Sequence, residues 1–242
     1  MLVTVTPQQL NCLDRPSPED RDGPWTLVRF DGFVFPWQPE RILFRRNRLF
    51  KLKELSGLGE VRLGVRNDTL TIAVGPWHFE LPIERTVKFP ATAQVIPDRQ
   101  RSSNRVRLDP QDIASLAKCL SQLPGNEEDK QPVVIDLNGH VAIVGKSNTA
   151  DQATVCLELD RSLHIGPDYR VAISRQDLVQ AVKLGVDSLF FFGKGVPVLA
   201  CGPQVQFVWM PLTNIGLNCD LTKAQRICTS QVKSSSGRRK VS

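Results

Sequence analysis

The chain opens on an alternation. In VTVTPQQL, residues 3–10, apolar and polar residues take turns, a polar junction follows, and Leu10 starts a new apolar pattern. The same form returns in ILFRRNRL (42–49), VRLDPQDI (106–113) and VAISRQDL (171–178). A two-residue period is that of a half-buried β-strand, and a polar junction ahead of a 3.6-residue period marks a helix start. Asp109 and Ser174 are good N-cap residues, because a short side-chain oxygen can accept from the free N–H groups of the first turn. Pro110 suits the first helical position, where its missing N–H costs no hydrogen bond. The helices predicted are RLFKLKEL (48–55), IASLAKCLSQL (113–123) and LVQAVKLGV (178–186).

Strands are predicted after each helix: within 60–83, within 132–148 and 153–159, and within 188–212. Asn67-Asp68, Asn138-Gly139 and Gly202-Pro203 suit the tight turns of antiparallel hairpins. The starts at 42, 106 and 171 are 64 and 65 residues apart, whereas 3 and 42 are only 39 apart. A unit of one strand, one helix and three strands, used four times with an eroded first copy, accounts for this spacing. The class expected is α+β, with antiparallel sheets. Paired units give two domains, 1–97 and 98–212, joined by the Pro-bounded, Arg-rich FPATAQVIPDRQRSSNR (89–105). The polar segment 213–242 is expected to be a basic tail, disordered from about residue 220.

Composition narrows the function. The 242 residues are 41% hydrophobic and 23% charged, and no apolar run approaches the ~20 residues of a membrane helix. The first residues lack the basic start and apolar stretch of a signal peptide, so the expectation is a cytoplasmic protein without membrane partners. Six cysteines and three histidines are scattered without metal-ligand or disulfide spacing, and no metal site or cofactor is expected. The net charge of +6 is concentrated: residues 213–242 hold six basic side chains against Asp220 alone, leaving the body about +1. Nothing frames a nucleophile or a phosphate loop, so no catalytic residue is assigned and an unrelated hydrolase is the weakest reading.

The basic residues of the body are clustered. Arg41, Arg45, Arg46, Arg48, Lys51 and Lys53 fall on one strand–helix unit, with Arg46 and Lys53 on one helical stripe and Leu49 and Leu52 on the other side. Arg99, Arg101, Arg105 and Arg107 form a second group, and Lys118, Arg175 and Lys183 lie on the later helices. From the residues alone, these are either a nucleic-acid face or an ordinary solvated one. FVWMPL (207–212) leaves a similar choice, since Trp209 and Met210 either complete a core or line an apolar binding surface.

Four segments together resemble the bacterial DNA polymerase III β subunit family, the sliding clamps. They are RFDGFVF (29–35), KFPATAQVIP (88–97), YRVAISRQDLVQAVKLGVDSLFF (169–191) and VPVLACGPQVQFVWMPL (196–212), collinear over about 25–212. The first resembles a middle-domain segment, the second the joint to the last domain, and the others that last domain. No segment matches the family's first domain, which makes the ring-closing contact there. Phe33 and Val34 replace a polar pair, and Trp209 replaces a small aliphatic residue.

The resemblance implies a clamp-like fold with its helices on one concave face and its sheets outside. It implies a partner-peptide cleft using Gly32, Phe33, Phe35, Pro97, Val208, Trp209 and Met210. It further implies non-specific contact with double-stranded DNA through Arg45, Arg46, Arg48, Lys51, Lys53, Arg105, Lys118, Arg175 and Lys183. The partners implied are DNA polymerase and other clamp-binding proteins, a clamp loader, and further copies of the chain, three of which would supply a twelve-unit ring. The alternative is a monomeric or dimeric module that keeps the cleft and recruits or competes for clamp partners without encircling DNA.

Overall fold

A computed structural model describes residues 2–5, 9–14, 26–32, 42–45, 55, 58–86, 94–124, 132–145, 154–212 and 221–231. The chain divides into two compact units, Met1–Val95 and Ile96–Ser242.

In unit 1, β1 (Leu2–Val5), β2 (Gln9–Asp14), β3 (Thr26–Asp31) and β4 (Ile42–Arg45) form an antiparallel arrangement ordered β4-β1-β2-β3. A second sheet holds β5 (Val61–Arg66), β6 (Thr69–Val74) and β7 (Trp77–Pro82). Its hairpins turn at Asn67 (φ 53°) and Gly75 (φ 54°), two residue types that tolerate the left-handed region. Ile42 and Phe44 of β4 pack with Leu70, Ile72, Leu81 and Ile83, and Leu10 and Cys12 close over them. The first copy of the sequence pattern therefore continues as strand β2, with no helix among its described residues. The predicted helix 48–55 lies outside the described residues, apart from Leu55.

Unit 2 holds two complete copies. The third copy runs β8 (Asn104–Arg107), α1 (Pro110–Cys119), β9 (Pro132–Asp136), β10 (Ala142–Gly145) and β11 (Val155–Glu158). After a short strand β12 (Leu163–Ile165), the fourth runs β13 (Arg170–Ser174), α2 (Arg175–Lys183), β14 (Ser188–Phe191), β15 (Val198–Cys201) and β16 (Val205–Trp209). The opening strand of each copy is exchanged: β8 pairs with β14, and β13 pairs with β9. The orders β12-β8-β14-β15-β16 and β13-β9-β10-β11 follow, so neither copy can complete a sheet alone.

Both helices begin as their caps dictate. Asp109 accepts from the Gln111 N–H at 2.8 Å with Pro110 at the first position, and Ser174 accepts from the Asp177 N–H at 3.3 Å. The α2 helix ends on Gly185 (φ 80°), where the Gly185 N–H reaches the Val182 carbonyl and the Val186 N–H reaches that of Ala181. This is the paired bonding of a glycine C-cap. Leu116 and Leu120 of the first helical segment and Leu178, Ala181 and Val182 of α2 are buried, and α1 packs against α2.

The C-terminal segment corrects an expectation. Residues 221–231 are ordered: Gln225–Cys228 forms β17, which pairs in parallel with β11, extending that sheet to β13-β9-β10-β11-β17. Leu212, Leu221 and Ala224 cover Val134, Ala142, Val144, Cys156 and Ala172 on one sheet face. Thr229 is buried, its hydroxyl within hydrogen-bond distance of Asp112 and, at 2.7 Å, of Asp160, and the Ser230 N–H donates to Asp160 as well. Asp112, 0% exposed, also accepts from the Arg161 N–H and the Ser162 hydroxyl. An apolar sheet face and a buried carboxylate both need covering, and this segment covers both.

Candidate nucleic-acid and peptide interface

The basic side chains expected at a nucleic-acid face fall into different environments. Lys118 and Lys183 are exposed, each in the last turn of its helix. Cations there complement the negative end of the helix dipole, so they are favourable locally as well as available to a ligand. The other exposed residues of α2 are Gln176 and Gln180, and those of α1 are Pro110, Gln111, Ala114 and Ala117. The carboxylates of these helices are not exposed: Asp112 is fully buried and Asp177 partly so. Unit 2 thus presents helix surfaces with amides, two exposed lysines and a single half-buried acid, Asp177.

Arg175 is a correction. It is 4% exposed and donates through Nη1 to the Leu123 carbonyl at 2.6 Å and through Nη2 to the Pro124 carbonyl at 2.5 Å. Burial lowers its pKa from the ordinary arginine value. It ties the start of α2 to the chain after α1 and offers nothing to a phosphate.

Arg105 is exposed, but it belongs to a different surface. The register places Arg105 opposite Phe190, Phe190 opposite Leu199 and Leu199 opposite Val208. Its guanidinium lies 5.2 Å from the centre of the Phe190 ring. In unit 1, Arg45 is exposed and pairs with Glu84 at 3.0 Å. Glu84 is held below the ordinary carboxylate range, chiefly by its Thr86 hydroxyl bond and also by Arg45. Arg46, Arg48, Lys51 and Lys53 lie outside the described residues.

The expected peptide surface also divides. Val208 and Trp209 are each 0% exposed, so neither offers surface to a guest, and alternation along β16 sends them to opposite faces of the sheet. The Trp209 ring meets Phe207 edge-on at 5.2 Å, an aromatic pair of the core. Trp209 as a peptide anchor is therefore corrected. Met210 and Pro97, both in unit 2, are half-buried and retain accessible surface. Gly32, in unit 1, is exposed with φ 89°, a conformation that suits glycine. Phe33 and Phe35 lie outside the described residues.

The structure also gathers residues that sequence spacing did not. Ligand atoms of His140, Cys156 and Glu158 lie within 4.8 Å of one another. Among the described residues, no helix is long and apolar enough to cross a membrane.

No protein-family model and no curated protein matches the chain. Solved structures do match. A DNA polymerase III β subunit from Pseudomonas aeruginosa superimposes with a TM-score of 0.64 at 17% identity, covering 88% of this chain and 57% of that one. One from Eubacterium rectale gives 0.67 at 12% identity over 88% and 56%. One from Thermotoga maritima gives 0.60 at 12% identity over 87% and 56%. The fold is thus that of a sliding clamp, in a chain spanning somewhat over half the length of the clamps it matches. The expected α+β class, with few helices and several antiparallel sheets, is borne out with it.

Proposed function

We propose that this protein is a sliding-clamp-like DNA tether: it holds duplex DNA non-specifically and recruits polymerase or repair proteins through an apolar peptide site. The clamp fold supports the general role. The observation that carries the DNA contact is the exposed surface of α1 and α2, with Lys118, Lys183, Gln111, Gln176 and Gln180 against one half-buried carboxylate, Asp177. Two lysines with amide donors suit phosphate oxygens, carry no base information, and bind weakly enough to permit sliding. The reading requires no catalytic group, no cofactor and no membrane, and it places the protein in the cytoplasm.

Met210 and Pro97 are the described residues we assign to the peptide site. A thioether adapts to varied apolar guests, and Pro97 presents a rigid apolar edge. Several chains are needed to surround a duplex. Three, each supplying four units, would match the twelve implied by the family resemblance.

Duplex binding followed by anisotropy over a salt series tests the DNA contact. With Lys118→Gln and Lys183→Gln together, the slope of log K against log salt should become shallower by roughly 2, at about 0.9 for each phosphate no longer neutralised. An unchanged slope would remove these helices from the interface. Met210→Asp should abolish binding of clamp-motif peptides while leaving that slope intact.

A further inference from the structure

One face of the unit 2 sheet carries chemistry unrelated to DNA. Register pairs place Asp136, Ala142, Glu158 and Cys228 in one cross-strand row, and Val134, Val144, Cys156 and Arg226 in the next. Residues opposite one another in a sheet project to the same side. His140, in the turn before β10, brings its ring to the same place: its ligand nitrogen, the Cys156 Sγ and a Glu158 oxygen all lie within 4.8 Å of one another. The small side chain of Ala142, opposite Glu158, leaves the space into which they converge.

Two further features set this cluster apart from ordinary packing. His140 Nε2 is buried and has no hydrogen-bond partner, an orphaned polar atom whose desolvation nothing offsets. Cys228 Sγ, arriving on β17 from the C-terminal segment, donates to Glu158 Oε2 at 3.4 Å. A second thiol therefore stands beside the same carboxylate.

We propose that His140, Cys156 and Glu158, with Cys228 as the fourth ligand, form a binding site for a Zn²⁺-class transition-metal ion that fastens β17 to β11. An imidazole nitrogen, a carboxylate and sulfur ligands suit Zn²⁺ and its borderline-soft neighbours. Ca²⁺ and Mg²⁺ take oxygen ligands. Four ligands from protein side chains leave no open position, which marks a structural site. An ion bound through His140 Nε2 satisfies that orphaned nitrogen and replaces the thiol protons, which leave to solvent when the sulfurs ligate. Arg226, paired with Glu158 at 3.0 Å, supports that carboxylate from the neighbouring position. The covering of the sheet by Leu221, Ala224 and β17 thereby becomes metal-dependent.

The test uses the full chain, stripped with chelator and titrated with Co²⁺ as the spectroscopic probe. The result expected is one Co²⁺ per chain, with thiolate-to-cobalt charge-transfer absorbance that Zn²⁺ displaces stoichiometrically. Cys156→Ser and His140→Gln should each weaken binding by at least about tenfold. Cys12→Ser, in unit 1, should change nothing. Lower charge-transfer intensity in Cys228→Ser supports the fourth ligand; full intensity overturns it and the fastening with it. Absence of thiolate absorbance in the folded wild-type chain overturns the site. His140→Gln gives an answer even where Cys156→Ser fails to fold, since unchanged Co²⁺ affinity in that variant also overturns it.

Discussion

The first and third copies of the repeated pattern begin almost identically, as Thr-Pro-Gln-Gln at 6–9 and Asp-Pro-Gln-Asp at 109–112, and end as different structures. After Asp109, apolar residues recur at Ile113, Leu116 and Leu120, and the chain becomes α1. After Gln9 they fall at Leu10, Cys12 and Leu13 and then stop, with Pro16 and Pro18 close behind, and Gln9–Asp14 becomes a strand pairing with both β1 and β3. A start signal only satisfies the free N–H groups of a first turn. Whether a helix follows is decided by whether the next two turns have an apolar stripe to bury. In unit 2 that stripe exists in both copies, and the exchanged strands β8 and β13 lock the copies together.

The complete copies are most vulnerable at their core. Trp209→Ala should cost about 3–5 kcal/mol in urea unfolding, as expected for a buried aromatic; a peptide-facing Trp209 would cost far less. Arg175→Ala comes next, at about 2–3 kcal/mol, because it removes charged hydrogen bonds and leaves the Leu123 and Pro124 carbonyls without these donors. The same variant should leave the salt dependence of DNA binding unchanged, separating its structural role from the phosphate contact that its place on a helix suggests.

Smaller effects distinguish a copy with a helix from one without. Asp109→Ala and Ser174→Ala should each cost about 1 kcal/mol, the usual worth of an N-cap. Thr6→Ala should leave helical circular dichroism unchanged, because β2 has no helix to cap. The smallest effect is on the C-terminal segment. The Ser230 and Thr229 hydrogen bonds pull the Asp160 pKa from 3.8 to about 2. A carboxyl whose folded value is depressed stabilises the fold above its unfolded pKa and loses that contribution as the pH falls. Protection from hydrogen exchange at 225–231 should therefore decline between about pH 4 and pH 2, and Asp160→Asn should flatten that dependence.

Local signals in the sequence located α1, α2, their caps and the hairpin turns, because each depends on residues a few positions apart. The nucleic-acid and peptide residues were only partly legible. Arg175 reads as a surface helix cation until Leu123 and Pro124, more than fifty residues earlier, are seen to accept its protons. The sequence leaves Trp209 open between a core residue and a peptide anchor, and its full burial beside Phe207 decides for the core. Strand β17 sits in a polar, basic segment and owes its order to the β11 edge and to Asp112 and Asp160, contacts that composition does not carry. His140, Cys156, Glu158 and Cys228 lack any metal-binding spacing, since the register of β10, β11 and β17 brings them together.

A protein that surrounds DNA can stay on it while touching it only weakly. Retention on a nicked circular plasmid, measured by gel filtration after a high-salt wash and again after cutting the circle once, puts that topology to the test. Encirclement predicts that the protein elutes with the circle and is released when the circle is linearised. Equal retention on both forms, or release from both in high salt, would contradict it.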